Sequence, residues 1–512
     1  MTPTESLAEL SRRRALAHGL GGPDRIRRQH ERGLLTARER VELLLDPGSQ
    51  FEFGSLVHSD EPGAADRTYG DGRLVGFGRI EGRRVAYSAG DSTIKGGSGG
   101  SGSRRRDAAF NRIVKASAIP NFGLIQGGGA RITEILTSAF AGYYGGSIGR
   151  RAAFPKRETH FLAALGNYYA PWSVPDADFS IMTEKSNISI SSPAVVEEAT
   201  GQIVTPEQLG GPDVHAKITG QIDAIVPDDG AAILLLRRVF GYYPANAFEQ
   251  APVLRTGDPV GRVAPELRSL VPDQPNRAFD VKKAITAVVD RDSFIEFAPS
   301  YGANMVIGIA RMDGHTVGIA ANQPRVRAGA LDLPAIHKLK RILVNCEANG
   351  FPLVTFLDVP GVLPTLEQEH RRLLTEVFDY AVARIRAPIP KISVFLRKAY
   401  GYALFGMSGA DHEWYSLAWP SAQIAFMGPE PGVRVSYRRE MDASPDPQAY
   451  LRQRADEFRA FAEPWAGAEL AYIDQVIDPA ATRPALIRAL EIARLRLPTH
   501  RSTLPPEAAY AN

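Results

Sequence analysis

Arg79-Ile-Glu-Gly82-Arg-Arg-Val85-Ala-Tyr-Ser-Ala89 returns 232 residues later (311 − 79) as Arg311-Met-Asp-Gly314-His-Thr-Val317-Gly-Ile-Ala-Ala321. The same offset sets Gly97 opposite Gly329 and Gly129 opposite Gly361. A later echo, Gln221-Ile-Asp-Ala-Ile-Val against Tyr472-Ile-Asp-Gln-Val-Ile, has the larger offset 251 (473 − 222), so the second copy carries insertions. Self-similarity at a fixed spacing means one structural unit used twice. From about Leu74 onward short β-like runs, glycines and helical stretches alternate, the pattern of an α/β unit. Two related α/β domains in tandem are therefore expected.

Outward from the repeat, residues 1–53 read as an N-terminal helical arm. Its clearest helix runs from Leu34 to Leu45: Thr36 and Glu39 form a capping box, Val41, Leu44 and Leu45 give a one-sided apolar stripe, and Asp46-Pro47-Gly48 stops it. The first domain then spans 54–243 and the second 278–512. Between them 244–277, rich in proline and polar residues, reads as a linker.

The 512 residues allow two to four domains at about 150 residues each. Hydrophobic residues at 44% and charged residues at 23% fit a globular protein with large cores. Lys and Arg number 60 against 57 Asp and Glu, and a net charge of +3 is far from the basic excess of a nucleic-acid binder. The lone Cys346 excludes an intrachain disulfide, reads as a buried thiol, and belongs to no Cys/His cluster with zinc spacing. No metal is expected. Met1-Thr-Pro-Thr-Glu-Ser-Leu lacks the basic-then-apolar order of a signal peptide, and the apolar runs are too short to span a bilayer, so a cytoplasmic protein with no membrane partner is expected.

Each half places a glycine-rich turn after an apolar strand-like run: Leu124-Ile-Gln-Gly127-Gly128-Gly129-Ala130-Arg131 and Val354-Thr-Phe-Leu-Asp-Val-Pro360-Gly361. Glycines there let the backbone turn sharply and aim N–H groups at a ligand oxygen. Gly97 to Gly102 matches G-x-G-x-x-G formally, without the strand placement or the acidic residue of a dinucleotide site, and no P-loop motif occurs. Arg104-Arg105-Arg106 reads as a solvated face. His337, His370 and His412 read as surface histidines, lacking the spacing of a metal site or triad.

The chain resembles the carboxyltransferase β subunits of biotin-dependent acyl-CoA carboxylases, the propionyl-CoA carboxylase type, over nearly its whole length. The resemblance rests on Tyr69-Gly-Asp-Gly72, Gly96-Gly97-Ser98, Gly128-Gly129-Ala130-Arg131-Ile132, Glu207-Gln-Leu-Gly-Gly211, Ala321-Asn-Gln-Pro324, Asp358-Val-Pro-Gly361, Arg397-Lys-Ala-Tyr-Gly401, Ala418-Trp-Pro420 and Ala425-Phe-Met-Gly428, in order. It implies two tandem crotonase-like domains, each a ββα superhelix, in a homo-hexamer. It also implies acyl-CoA as substrate and biotin as cofactor, carried as carboxybiotin on a partner carrier protein beside a biotin carboxylase subunit. CO2 would pass to the α carbon of the acyl-CoA through an enolate, held by backbone oxyanion holes.

Residue by residue, the resemblance puts the acyl oxyanion hole on Tyr168 and Tyr169, where the family has a Gly-Gly pair. It puts the biotin-side donors on Tyr402 and Ala403. Gly96, Gly97, Gly128, Gly129, Ala130, Arg131 and Gly361 would line the substrate sites, and Phe405 falls on the position that influences acyl-chain choice. Glu369-His-Arg-Arg372 replaces glycines beside the biotin pocket. These departures open two alternatives: biotin-independent enolate chemistry such as decarboxylation of a malonyl-type thioester, or a non-catalytic subunit of a mixed complex. The chain has neither a biotin-attachment Met-Lys-Met nor an ATP-grasp motif.

Overall fold

The computed structural model describes residues 2–135, 158–169, 171–246, 249–274, 276–408 and 414–495. The chain divides into two compact units, Met1–Ala251 and Pro252–Asn512.

In the first unit eight strands make one sheet: β1 (Phe51–Glu52), β2 (Arg73–Ile80), β3 (Arg83–Gly90), β4 (Asn121–Gly127), β5 (His160–Tyr169), β6 (Phe179–Thr183), β7 (Asn187–Ser189) and β8 (Ala224–Val226). Their order is β1-β2-β3-β4-β5-β6-β8, and β7 pairs the far end of β5. The second unit repeats the plan with β9 (Ile295–Phe297), β10 (Met305–Met312), β11 (His315–Asn322), β12 (Leu353–Val359), β13 (Lys391–Tyr400), β14 (Tyr415–Ala418), β15 (Gln423–Ala425) and β16 (Gln475–Val476), ordered β9-β10-β11-β12-β13-β14-β16 with β15 on β13.

The echoed segments are the hairpins β2–β3 and β10–β11. Glu81 and Gly82 turn the first at φ 51° and 75°, Asp313 and Gly314 the second at 52° and 77°. Two successive positive φ values make the two-residue turn whose twist suits antiparallel strands. The registers match at the repeat offset, Arg79 opposite Arg84 and Arg311 opposite Thr316. From β3 and β11 onward pairing is parallel, through a crossover helix: α4 (Ser101–Ser117) in the first unit, Leu333–Asn349 in the second. β4 and β12 are buried throughout, as central parallel strands covered on both faces must be.

Three helices precede the sheet: α1 (Pro3–His18), α2 (Pro23–Glu31) and α3 (Ala37–Leu44). The Thr36–Glu39 capping box is present, with the Thr36 amide donating to Glu39 Oε2 at 2.7 Å. α3 does not stand apart as an arm. Val41 and Leu44 are buried, and Arg40, fully buried, donates to Asp229 Oδ2 and to the Leu165 carbonyl, both at 2.8 Å. Phe51 and Glu52 then join the edge of the sheet. The stretch read as a linker is partly integral as well: Ala264 and Leu267 lie in the second core with Val281, Ile285, Phe356 and Trp419. Cys346 is a buried thiol in that unit, and burial pushes its pKa up.

Candidate functional site

After each hairpin comes a turn with three successive left-handed residues: Lys95, Gly96 and Gly97 at φ 51°, 62° and 69°, and Arg327, Ala328 and Gly329 at 48°, 54° and 78°. This turn is laced to the glycine turn that follows the next strand. Gly128 donates its amide to Gly96 O (3.0 Å), Gly99 to Gly129 O (2.8 Å) and Arg131 to Gly99 O (2.8 Å); in the second unit Leu331 donates to Gly361 O (3.0 Å) and Leu363 to Leu331 O (2.7 Å). The Gly128 and Arg131 amides, expected to face a ligand, therefore bond the neighbouring turn. Arg131 likewise acts as a clasp, its guanidinium bonded to Asp71 (2.8 Å), Glu134 (2.6 Å) and the Ser98 carbonyl (2.7 Å).

The lacing leaves no room for side chains. A Cβ on Gly97 would stand 2.8 Å from Gly127 Cα and 2.9 Å from Gln126 O, in a conformation that L residues resist. Gly97→Ala is expected to cost about 2 kcal/mol and to lower the melting temperature of the first unit by roughly 4–8 °C, measured by thermal unfolding.

The turns border a cavity of about 510 Å³ between α4 and the sheet, lined by Gly97, Gly129, Ala130, Tyr168 and Tyr169 among others. Tyr168 and Tyr169 are still strand: Tyr168 is flanked by Gly127 of β4 and Ile188 of β7, and Tyr169 pairs Ser189. Tyr168 Oη accepts a hydrogen bond from Arg73 Nη2 at 3.0 Å, and Arg73 Nη1 binds Asp107 at 2.8 Å. Burial, reinforced by the charge of Glu207, pushes the Tyr169 phenol above its ordinary value. Of the Arg104–Arg106 run only Arg105 fits a solvated face, paired with Asp60 (2.9 Å). Arg106 is a correction: it is buried, held by the carbonyls of Gly70 and Arg73 and by Asp107, because the helix turns it inward. His337 and His370 are exposed, and His412 lies outside the described residues.

The second unit differs at this point. β13 ends at Tyr400, Gly401 takes φ 62°, and a helix begins at once (Gly401–Ser408). Tyr402 and Ala403 thus sit in a first helical turn, whose amides have no carbonyl partner within the helix. Tyr402 borders a cavity of about 650 Å³ lined also by Gly361, Lys398, Gln423, Phe426 and Met427, among others. Ala403 is buried, while Tyr402 and Phe405 are exposed and meet edge to face, 6.4 Å between ring centres. Beneath the cavity, buried Asp358 binds Arg397 Nε (3.2 Å) and Nη2 (2.8 Å) and the Lys398 amide (2.9 Å). Burial pushes the Lys398 ammonium down, against the opposing pull of Asp358.

A third cavity, of about 440 Å³, went unseen in the sequence. Arg25, Arg28, Arg32, Arg67 and Lys95 line it against one carboxylate, Glu61. Arg25 is fixed by donating to the Thr93 carbonyl at 3.0 Å. The spacing of Arg25, Arg28 and Arg32, three and then four residues apart, places them on one side of α2 and its C-terminal end, and was the available signal. Gly96 lines this cavity and Gly97 the 510 Å³ cavity, so the Lys95–Gly97 turn borders both.

The carboxyl transferase domain family matches residues 28–501. The chain belongs to that family. It is 35% identical over 508 residues to the propionyl-CoA carboxylase carboxyltransferase subunit of Haloferax mediterranei, covering 96% of this chain and 97% of the relative. It is 34% identical over 500 residues to the methylmalonyl-CoA decarboxylase α subunit of Veillonella parvula, covering 96% of each. The crystal structure of the transcarboxylase 12S subunit, a hexamer with methylmalonyl-CoA bound, superposes with a TM-score of 0.90 at 33% identity, over 98% of this chain and 97% of that one. The two units of this carboxyltransferase are therefore crotonase-like domains, and its activity is carboxyl transfer on acyl-CoA. Among the described residues no three His, Cys, Asp or Glu side chains are grouped to hold a metal ion, and no helix is long and apolar enough to cross a membrane.

Proposed function

We propose that this chain is the carboxyltransferase component of a biotin-dependent acyl-CoA carboxylase, with the acyl-CoA held by the first unit and biotin met by the second. The observation that carries the first half is the shared turn. Five cations gather around one cavity, and the turn at its edge leads into the cavity of the glycine loops. A CoA thioester has that form, with phosphates at one end and a reactive carbonyl at the end of a long arm. Arg25, Arg28, Arg32, Arg67 and Lys95 would bind the phosphates, Arg fitting phosphate through paired N–H donors. Gly96, Gly97, Gly129 and Ala130 would line the arm's path, with Gly128 and Arg131 holding the loops in shape.

For biotin the support is the start of the helix at Gly401. The Tyr402 and Ala403 amides, in the first turn of that helix, would supply donors for a ureido oxygen, and Gly361, Phe426 and Met427 of the cavity beside Tyr402 an apolar wall. Carboxybiotin, when bound, supplies the carboxyl group. This chain's residues would orient each ligand in its own cavity, and Phe405, which the resemblance puts at the position that influences acyl-chain choice, meets Tyr402 edge to face. A homo-hexamer in the cytoplasm, served by a biotin carboxylase and a biotin carrier, completes the reading.

The test incubates the purified protein with malonyl-CoA and methylmalonyl-CoA, with and without free biotin, and follows loss of the carboxyl group by mass spectrometry. Loss that requires biotin is expected. Loss that ignores biotin would move the protein to the decarboxylase alternative, which passes through the same acyl enolate but needs no biotin.

A further inference from the structure

We propose that the Tyr168 hydroxyl is a catalytic hydrogen-bond donor to the acyl thioester oxygen, with Arg73 as the residue that aims it. This rests on the reading of the first unit as the acyl-CoA site. It goes beyond that reading in replacing a backbone oxyanion hole by a side-chain one.

Three observations lead there. The backbone at Tyr168 is flanked by strands on both sides, Gly127 of β4 just past a register shift and Ile188 of β7, so it still runs within the sheet and not in a glycine turn. The side chain of Tyr168 nonetheless lines the 510 Å³ cavity, alongside Gly97, Gly129 and Ala130. Its oxygen is also held. Arg73 Nη2 donates to it at 3.0 Å, Arg73 Nη1 is fixed by Asp107 at 2.8 Å, and Asp107 is gripped in turn by Arg106 at 3.1 Å, itself anchored on the Gly70 carbonyl at 2.8 Å.

A phenol has one proton to give and accepts through its oxygen. Here Arg73 fills the accepting side, and no described residue receives the Tyr168 proton. The O–H is therefore left for whatever enters the cavity. A guanidinium on the phenol oxygen polarises that O–H, because hydrogen bonds in a chain strengthen one another. A fixed donor aimed where negative charge develops, as on the oxygen of a thioester turning into its enolate, is the arrangement that stabilises such a transition state.

The test titrates two ligands into wild type, Tyr168→Phe and Arg73→Lys by calorimetry: CoA itself, and a nitroalkyl thioether of CoA whose nitronate places a negative oxygen where the enolate oxygen forms. Tyr168→Phe is expected to weaken the nitronate about 100-fold and CoA by less than about 3-fold. Arg73→Lys, which keeps the charge but not the fork that spans Asp107 and Tyr168, is expected to weaken the nitronate about 10-fold. Equal losses for both ligands, or no loss for the nitronate, would overturn the proposal. If Tyr168→Phe fails to fold, Arg73→Lys decides by the same comparison. A wild type that binds neither ligand would overturn the acyl-CoA reading together with this inference, whereas CoA binding with no dependence of the nitronate on Tyr168 would overturn this inference alone.

Discussion

Removing Asp358 (Asp358→Ala) is expected to destabilise the second unit by about 3–5 kcal/mol, because it strands a buried arginine. Asp358 and Arg397 are 1% and 4% exposed, and the carboxylate satisfies two guanidinium nitrogens and the Lys398 amide. Among the described residues, the Arg397 guanidinium otherwise donates to the Arg277 carbonyl at 2.9 Å and lies 5.0 Å from the Phe279 ring centre. At roughly 2–4 °C per kcal/mol for a unit of this size, the melting temperature drops by about 6–20 °C. The pair also has a place in the site. Asp358 stands three residues before Gly361 and Arg397 four before Gly401, so it ties together the two turns that border the 650 Å³ cavity. Thermal unfolding checks the prediction, and a shift below about 2 °C would show the pair to be replaceable by water.

The first unit lacks this tie. At the repeat offset Gln126 stands where Asp358 does, and it bonds Gln29 at 2.9 Å. The two halves thus share a backbone plan and not the polar chemistry beneath it.

The second large effect concerns the cationic cavity. Replacing Arg25, Arg28 and Arg32 together by alanine is expected to weaken CoA binding about 10- to 100-fold, each exposed charge contributing about 0.5–1 kcal/mol. The loss should shrink as salt is raised, since exposed charges are screened. Titration with CoA and with its phosphate-free arm, pantetheine, separates the causes. CoA affinity should fall and pantetheine affinity should not. An equal fall for both would mean that the substitutions damaged α2, and no fall would place the phosphates elsewhere.

What the sequence made legible was local or repeated. The duplication could be read because Glu81-Gly82 and Asp313-Gly314, which turn the two hairpins, sit at equivalent places in two echoing segments. The start of α3 could be read because Thr36 and Glu39 act on backbone groups three residues apart. The cationic cavity could not, because Arg67 and Lys95 reach Arg25, Arg28 and Arg32 only through tertiary packing. Arg106 was misread for a related reason: a run of three arginines on a helix points in three directions, and one of them is inward. At Tyr168 and Tyr169 the resemblance named a position and left its conformation open. Two aromatic residues favour strand, and the strand continues through them.

Loss of a carboxyl group from a thioester does not tell where the group goes, and transfer to biotin is the central claim. The direct measurement supplies methylmalonyl-CoA labelled with 13C in its free carboxyl group, together with free biotin, and looks for the label on biotin by mass spectrometry within single turnovers. Label arriving on biotin as the thioester loses it is the predicted result. Label released as CO2 at the same rate with and without biotin, and never found on it, would contradict the account.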